Sequence, residues 1–175
     1  VSDAEAPIER HTLAVLVVNE PGVLARVIGL FSGRGYNIES LTVAEVPRQP
    51  GERLSLSRIT LVTSGTRMVI DQIKAQLERL VPIRRVHDLT EEGPFVAREL
   101  TLVKIVADDG KRAEILSLGD AFGARITESD DSVTILEITE PTETVDRFLS
   151  KLAGLGRLEV ARTGIVAVSR GQQTI

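Results

Sequence analysis

The chain has 175 residues, 42% of them hydrophobic and 26% charged, with a formal net charge of -4; this is a soluble globular composition, and it lacks the basic field that draws nucleic acid or anionic membranes. With no cysteine, disulfides, thiolate nucleophiles and thiolate metal sites are excluded, in keeping with a reducing cytoplasm. No apolar run approaches the roughly 20 residues that span a bilayer, and the opening VSDAEAPIER has no signal-peptide core, so a cytoplasmic protein with no membrane partner is expected.

HTLAVLVV, residues 11–18, is a short β-branched apolar run that reads as a strand covered on both faces. Pro21 and Gly22 then open a helix whose stripe is Val23, Leu24, Val27, Ile28 and Phe31, and Gly33 and Gly35 end it. Residues 37–62 read as a hairpin, with NIESLTVAEV and RLSLSRITLV joined by the polar loop PRQPGE. After Thr66, a residue suited to capping, Ile70, Ile73, Leu77 and Leu80 mark a second helix, which Pro82 closes before the strand IRRVHDL. The order is βαββαβ.

TEEGPFVA, at 90–97, is polar, contains Gly-Pro and has no period, so it reads as a linker. The same order then repeats: strand ELTLVKIVA, a helix capped by Asp109 with Ile115, Leu118, Gly119 and Phe122 facing inward, and a hairpin of ARITE and SVTILEIT around SDD. A helix opening at Pro141, with Val145, Phe148, Leu149 and Leu152 inward, leads to LEVARTGIVAVS as one closing strand and a frayed tail, RGQQTI. The expected architecture is α+β, two tandem ferredoxin-like βαββαβ units, at 10–89 and 98–170, alike in element order with little shared sequence. Units of about 75 residues leave one sheet face needing cover, and exposed strand edges favour pairing with another copy.

The first turn of any helix has backbone N–H groups without internal partners, and the macrodipole favours negative charge there. Pro21 has no N–H to offer, whereas Gly22, Val23 and Leu24 do, and Gly22 lets a ligand approach closely. Asn19 before this turn and Asn37 after GRGY supply neutral amides that both donate and accept, which suits the adjacent ammonium and carboxylate of an α-amino acid. Pro-Gly also serves as plain punctuation at a strand-to-helix turn, and Asn as a plain cap. Neither G-x-G-x-x-G nor a P-loop follows a strand, so the spacing is not that of a nucleotide motif.

NEPGVLARVIGLFSGRGYNIESLTV resembles the opening signature of the small, regulatory subunit of acetohydroxyacid synthase (acetolactate synthase), whose first unit is an ACT domain. RVHDLT, ELTLVKI and EVARTGIVAVSRG resemble the family's domain junction, second-domain start and C-terminal end. The resemblance implies a chain without an active site that activates a separate catalytic large subunit and confers feedback inhibition by valine or related branched-chain amino acids. It implies a homodimer, with an effector site built from Asn19, Gly22, Val23 and Leu24 of one copy and Asn37 and Ile38 of the other. Thiamine diphosphate, Mg²⁺ and FAD are expected in the catalytic subunit and none in this chain. A methylene is worth about 1 to 3 kcal/mol in such a pocket, which leaves valine, leucine and isoleucine as equal candidates.

Two other function classes find little support in the residues. A small enzyme on this scaffold would draw on paired acids, Glu91 with Glu92 or Asp130 with Asp131, or on His11 and His87, but the acids fall in loops and the histidines lie far apart. An RNA-binding sheet shares the element order, yet aromatic residues make up only 3% and stacking platforms are missing.

Overall fold

The computed structural model describes residues 7–48 and 51–175, apart from the side chain of Asp109. In chain order its elements are β1 (Glu9–Val18), α1 (Val23–Arg34), β2 (Ser40–Glu45), β3 (Leu56–Gly65), α2 (Arg67–Glu78), β4 (Ile83–Asp88), α3 (Leu89–Glu92) and β5 (Phe95–Val106). A 3₁₀ turn at Asp109–Lys111 precedes α4 (Arg112–Ala121), β6 (Arg125–Ser129), β7 (Val133–Glu140), α5 (Thr142–Leu152), β8 (Arg157–Arg162) and β9 (Val166–Ser169). They form two compact units, one from the described residues up to Val96 together with Val166–Ile175, the other from Ala97–Ile165. Both carry the expected strand and helix order, with helices between antiparallel strands.

In the first unit the strands run β2-β3-β1-β4. Leu13 lies opposite Leu61 and Val15 opposite Ile59, so the period of two sends these side chains to one face. Val23, Val27 and Phe31 of α1 and Ile70, Ile73 and Leu77 of α2 close the core over them. β1 reads as continuously apolar because its other face is covered as well: Ala14 and Val62 are fully buried and Thr60 nearly so. On that second face the Arg58 guanidinium donates from Nη2 to Ala167 O over 2.7 Å, which ties β9 to this unit.

In the second unit the strands run β6-β7-β5-β8. Val103 and Ile105 of β5, Leu136 and Ile138 of β7, Ile115 of α4 and Val145, Phe148 and Leu152 of α5 form the core. Phe122 and Phe148 meet with ring centroids 5.3 Å apart, a contact of the kind aromatic pairs favour.

Several local expectations give way to tertiary bonding. The stretch read as a linker contains the end of the α3 turn and the start of β5, because the Asp88 carboxylate accepts from the Thr90 and Glu91 amides at 3.1 and 3.3 Å and so caps a helical turn. LEVARTGIVAVS splits into β8 and β9 at Gly164, whose φ is 83°, a left-handed conformation suited to glycine. Thr163 N donates to Leu100 O and Leu100 N to the Thr163 hydroxyl, which finishes β8. Residues 170–175, expected to fray, belong to the first unit; Arg170 N donates to Pro94 O over 2.9 Å and the Ser169 hydroxyl to Gln173 O over 3.2 Å. Thr66 is the N-cap of α2 without a side-chain cap bond, and Pro141 stands at the cap of α5, one residue earlier than expected. The side chain of Asp109 and the loop residues 49–50 lie outside the described residues; α4 itself follows Lys111 at the cap.

Two measurements check these packing claims. Phe148→Ala removes a fully buried ring and should cost about 3 to 5 kcal/mol in urea unfolding. In the β6–β7 turn, Asp130 accepts from the Ser132 and Val133 amides at 3.0 and 2.7 Å, and these bonds hold its carboxyl below its ordinary 3.8. Its contribution is therefore complete above that ordinary value and is lost as pH falls through the lowered one. Asp130→Asn should lower the urea midpoint at neutral pH, with the gap from the parent narrowing as pH falls below 3.8.

Candidate functional site

β1 ends at Val18, which is held on both sides: Val18 N donates to Pro82 O and Asn19 N to Ser55 O, each over 2.8 Å. The chain must then reverse within four residues to lay α1 on the core face. Gly22 makes this possible at φ 85° and ψ −6°, in the left-handed region. It is the N-cap of α1, and no side chain caps the helix. Val23 N reaches Glu20 O at a long 3.4 Å, and the first bond of the helical ladder runs from Arg26 N to Gly22 O at 3.0 Å. The amides ahead of that bond have no acceptor within the helix. α1 has no acidic residue in its first turn, and Glu20, just outside it, pairs with Arg26 at 3.2 Å. A Cβ placed at Gly22 would meet nothing within 4 Å, so the space before the helix is open.

Asn19 is exposed and is not a cap; its Nδ2 lies 3.4 Å from the Ser55 hydroxyl, which in turn donates to the Glu45 carboxylate. Val23 is buried in the first core, and Leu24 packs half-buried against it. Ser55 and Glu45 carried no signal in the sequence, because the loop between β2 and β3 hides the register. Pairing of Glu45 with Ser57 and Val43 with Ile59 is what brings the end of β2 to the Asn19 turn.

Asn37 and Ile38 lie elsewhere. Asn37 is exposed, its carbonyl accepting from the Thr63 hydroxyl over 2.6 Å, and Ile38 packs half-buried against the first core. Asn19 is bonded beside Ser55, whereas Glu39 is bonded beside Val62; seven strand residues at about 3.3 Å each set the two groups about 23 Å apart. One copy of the chain therefore does not bring Asn37 and Ile38 to Asn19, Gly22, Val23 and Leu24.

The remaining candidates are engaged locally. Glu91 accepts from Lys74 Nζ at 2.5 Å, which holds its carboxyl below the usual range. Glu92 accepts from the Asp88 amide at 3.2 Å and lies 2.7 Å from His87 Nδ1. His11 and Asp88 form a buried pair at 2.8 Å between Nδ1 and Oδ2. Asp130 serves its turn, and Asp131 reaches Arg112 only at 3.8 Å. Gly35 ends α1, where Tyr36 N donates to Phe31 O over 3.0 Å. Among the described residues no helix is long and apolar enough to cross a membrane.

Comparison with known proteins converges on one family. Residues 13–85 match the family described as AHAS small subunit-like ACT domain, and residues 98–171 the family described as small subunit of acetolactate synthase. The chain is 44% identical over 164 residues to the probable acetolactate synthase small subunit of Archaeoglobus fulgidus, covering 94% of this chain and 99% of that protein. It is 42% identical over 165 residues to the acetolactate synthase isozyme 3 small subunit of Salmonella typhimurium, covering 94% and 98%. The crystal structure of the acetolactate synthase small subunit from Thermotoga maritima superposes with a TM-score of 0.80 at 35% identity, over 94% of this chain and 99% of that one. With both halves matched in sequence and the whole matched in fold, the chain belongs to the acetolactate synthase small-subunit family.

Proposed function

We infer that this chain is a non-catalytic regulatory subunit: it raises the activity of a catalytic acetolactate synthase subunit and lets valine or a related branched-chain amino acid inhibit that activity. The observation that carries the reading is the start of α1, where a left-handed glycine with open space around it precedes a helix that no side chain caps, in an ACT unit of this family. Those amides suit the effector carboxylate, the Asn19 amide its remaining polar valences, and Val23 and Leu24 a branched side chain. Thiamine diphosphate, Mg²⁺ and FAD belong, in this reading, to the catalytic subunit.

A second copy supplies Asn37 and Ile38. β2 is the edge strand of its sheet, with β3 on its inner side, and Val43 on it is 45% exposed. Edge strands of this kind pair readily. Antiparallel pairing of two β2 strands about a twofold axis would lay the Asn37–Ile38 end of one copy beside the Glu45 end of the other. Glu45 is linked through Ser55 to Asn19, so the same pairing joins the two separated halves of the site. An effector held across two copies favours one arrangement of the dimer, and its differential affinity is the free energy available to act on a partner.

Mixing the chain with the catalytic subunit should raise acetolactate formation, and valine should reverse the increase; no change in either measurement would remove the reading. Asn19→Ala should weaken valine binding by about tenfold or more while activation persists. It is a cleaner test than Gly22→Asp, since φ 85° at Gly22 strains any side chain there whatever its charge. Val43→Lys, which puts a charge beside the β2 edge, should shift the chain to a monomer in analytical ultracentrifugation and abolish the calorimetric response to valine.

A further inference from the structure

We propose that the first unit holds a second small-molecule site, on the sheet face away from α1 and α2, where Arg58 receives the acid group of a small organic carboxylate. The cavity has a volume of about 300 Å³ and lies between that face and the C-terminal segment, with Arg58, His87, Leu89, Glu92, Val168 and Ile175 among its lining. Its size falls at the small end of the range of ligand sites, and it combines an apolar wall with a few polar groups, as such sites do.

Arg58 is the group that calls for a ligand. Its side chain is half-buried, and desolvation holds its guanidinium below its ordinary value. Nη2 is bonded to Ala167 O at 2.7 Å, and among the described residues no carboxylate pairs with it. The side-chain acid in the lining, Glu92, is committed to His87 and to the Asp88 amide. Strand register adds positive charge: Leu16 lies opposite Arg58 on one side and opposite Arg85 on the other, so both cations share this face. Arg58 also lines an adjoining cavity of about 190 Å³ with Arg48 and Glu52. A partly desolvated guanidinium whose fork is occupied at one nitrogen retains donors for a carboxylate. Leu89, Val168 and Ile175 offer the apolar wall for the rest of a molecule of about five heavy carbons. This site lies on the opposite sheet face from the α1 turn and does not depend on the effector reading.

The test is calorimetry on the full chain with isovalerate and with its neutral counterpart 3-methylbutan-1-ol. Isovalerate should bind saturably in the millimolar range, with the alcohol at least about tenfold weaker. Arg58→Gln should weaken isovalerate by about tenfold or more, and Asn19→Ala should leave it unchanged. Absence of saturation, equal binding of acid and alcohol, retention in Arg58→Gln, or loss in Asn19→Ala would each overturn the proposal. Should Arg58→Gln fail to fold, Arg58→Lys takes its place: the charge is kept and the planar fork lost, so weakened binding supports the site and unchanged binding removes it.

Discussion

The reversal between β1 and α1 governs the geometry of the first unit at the start of its first helix. β1 is pinned at its end by bonds to Pro82 and Ser55, and α1 must start almost at once to place Val23, Val27 and Phe31 on the core. Only a left-handed residue closes so short a turn, and glycine holds that conformation without a steric penalty. The consequence is chemical as well as geometric. A helix entered in this way has neither a capping side chain nor an acidic first turn, so its first amides, apart from Val23 N, which reaches Glu20 O, have no partner within the helix.

The sheet then sets how far this donor set lies from Asn37 and Ile38. Strand spacing is a rigid ruler, and β3 carries the Asn19 turn at one end and the Asn37–Ile38 segment at the other. No rotamer change spans such a gap, since protein interiors are close-packed and strands do not shorten. A chain with these two halves at opposite ends of one sheet is suited to work as a symmetric pair. In the proposed function, the edge that joins the copies also completes the pocket, so oligomer geometry and ligand affinity would share a single structural element.

The second face of that sheet shows a different economy. A small α+β unit with helices on one side leaves the other side exposed, and here the chain returns its own C-terminal segment to that side, held through Arg58 and Ala167 and through Arg170 and Pro94. The junction is organised by buried polar contacts: Asp88 caps α3, meets His11 and sits near Lys74. A buried carboxylate is costly without partners, and the partners of Asp88 help fix where the chain leaves the first unit.

Hydrophobic period and turn chemistry by themselves determined the two βαββαβ units and the core stripes. Val27 and Phe31, or Val145, Phe148 and Leu152, are spaced as a helix requires, and burial follows that spacing. The Pro-Gly turn and the flanking asparagines were legible too, because free amides at a helix start follow from local geometry alone. What depended on partners distant in sequence was decided by the tertiary structure: the α3 turn in the supposed linker, the break at Gly164, the return of β9 to the first unit, and the roles of Ser55, Glu45 and Arg58. Each rests on a bond or a register between segments tens of residues apart, such as Arg58 with Ala167, and no local period encodes such a pairing. The separation of Asn19 from Asn37 belongs to the same class, because distance along a sheet is set by strand register, which the residues of either segment alone do not specify.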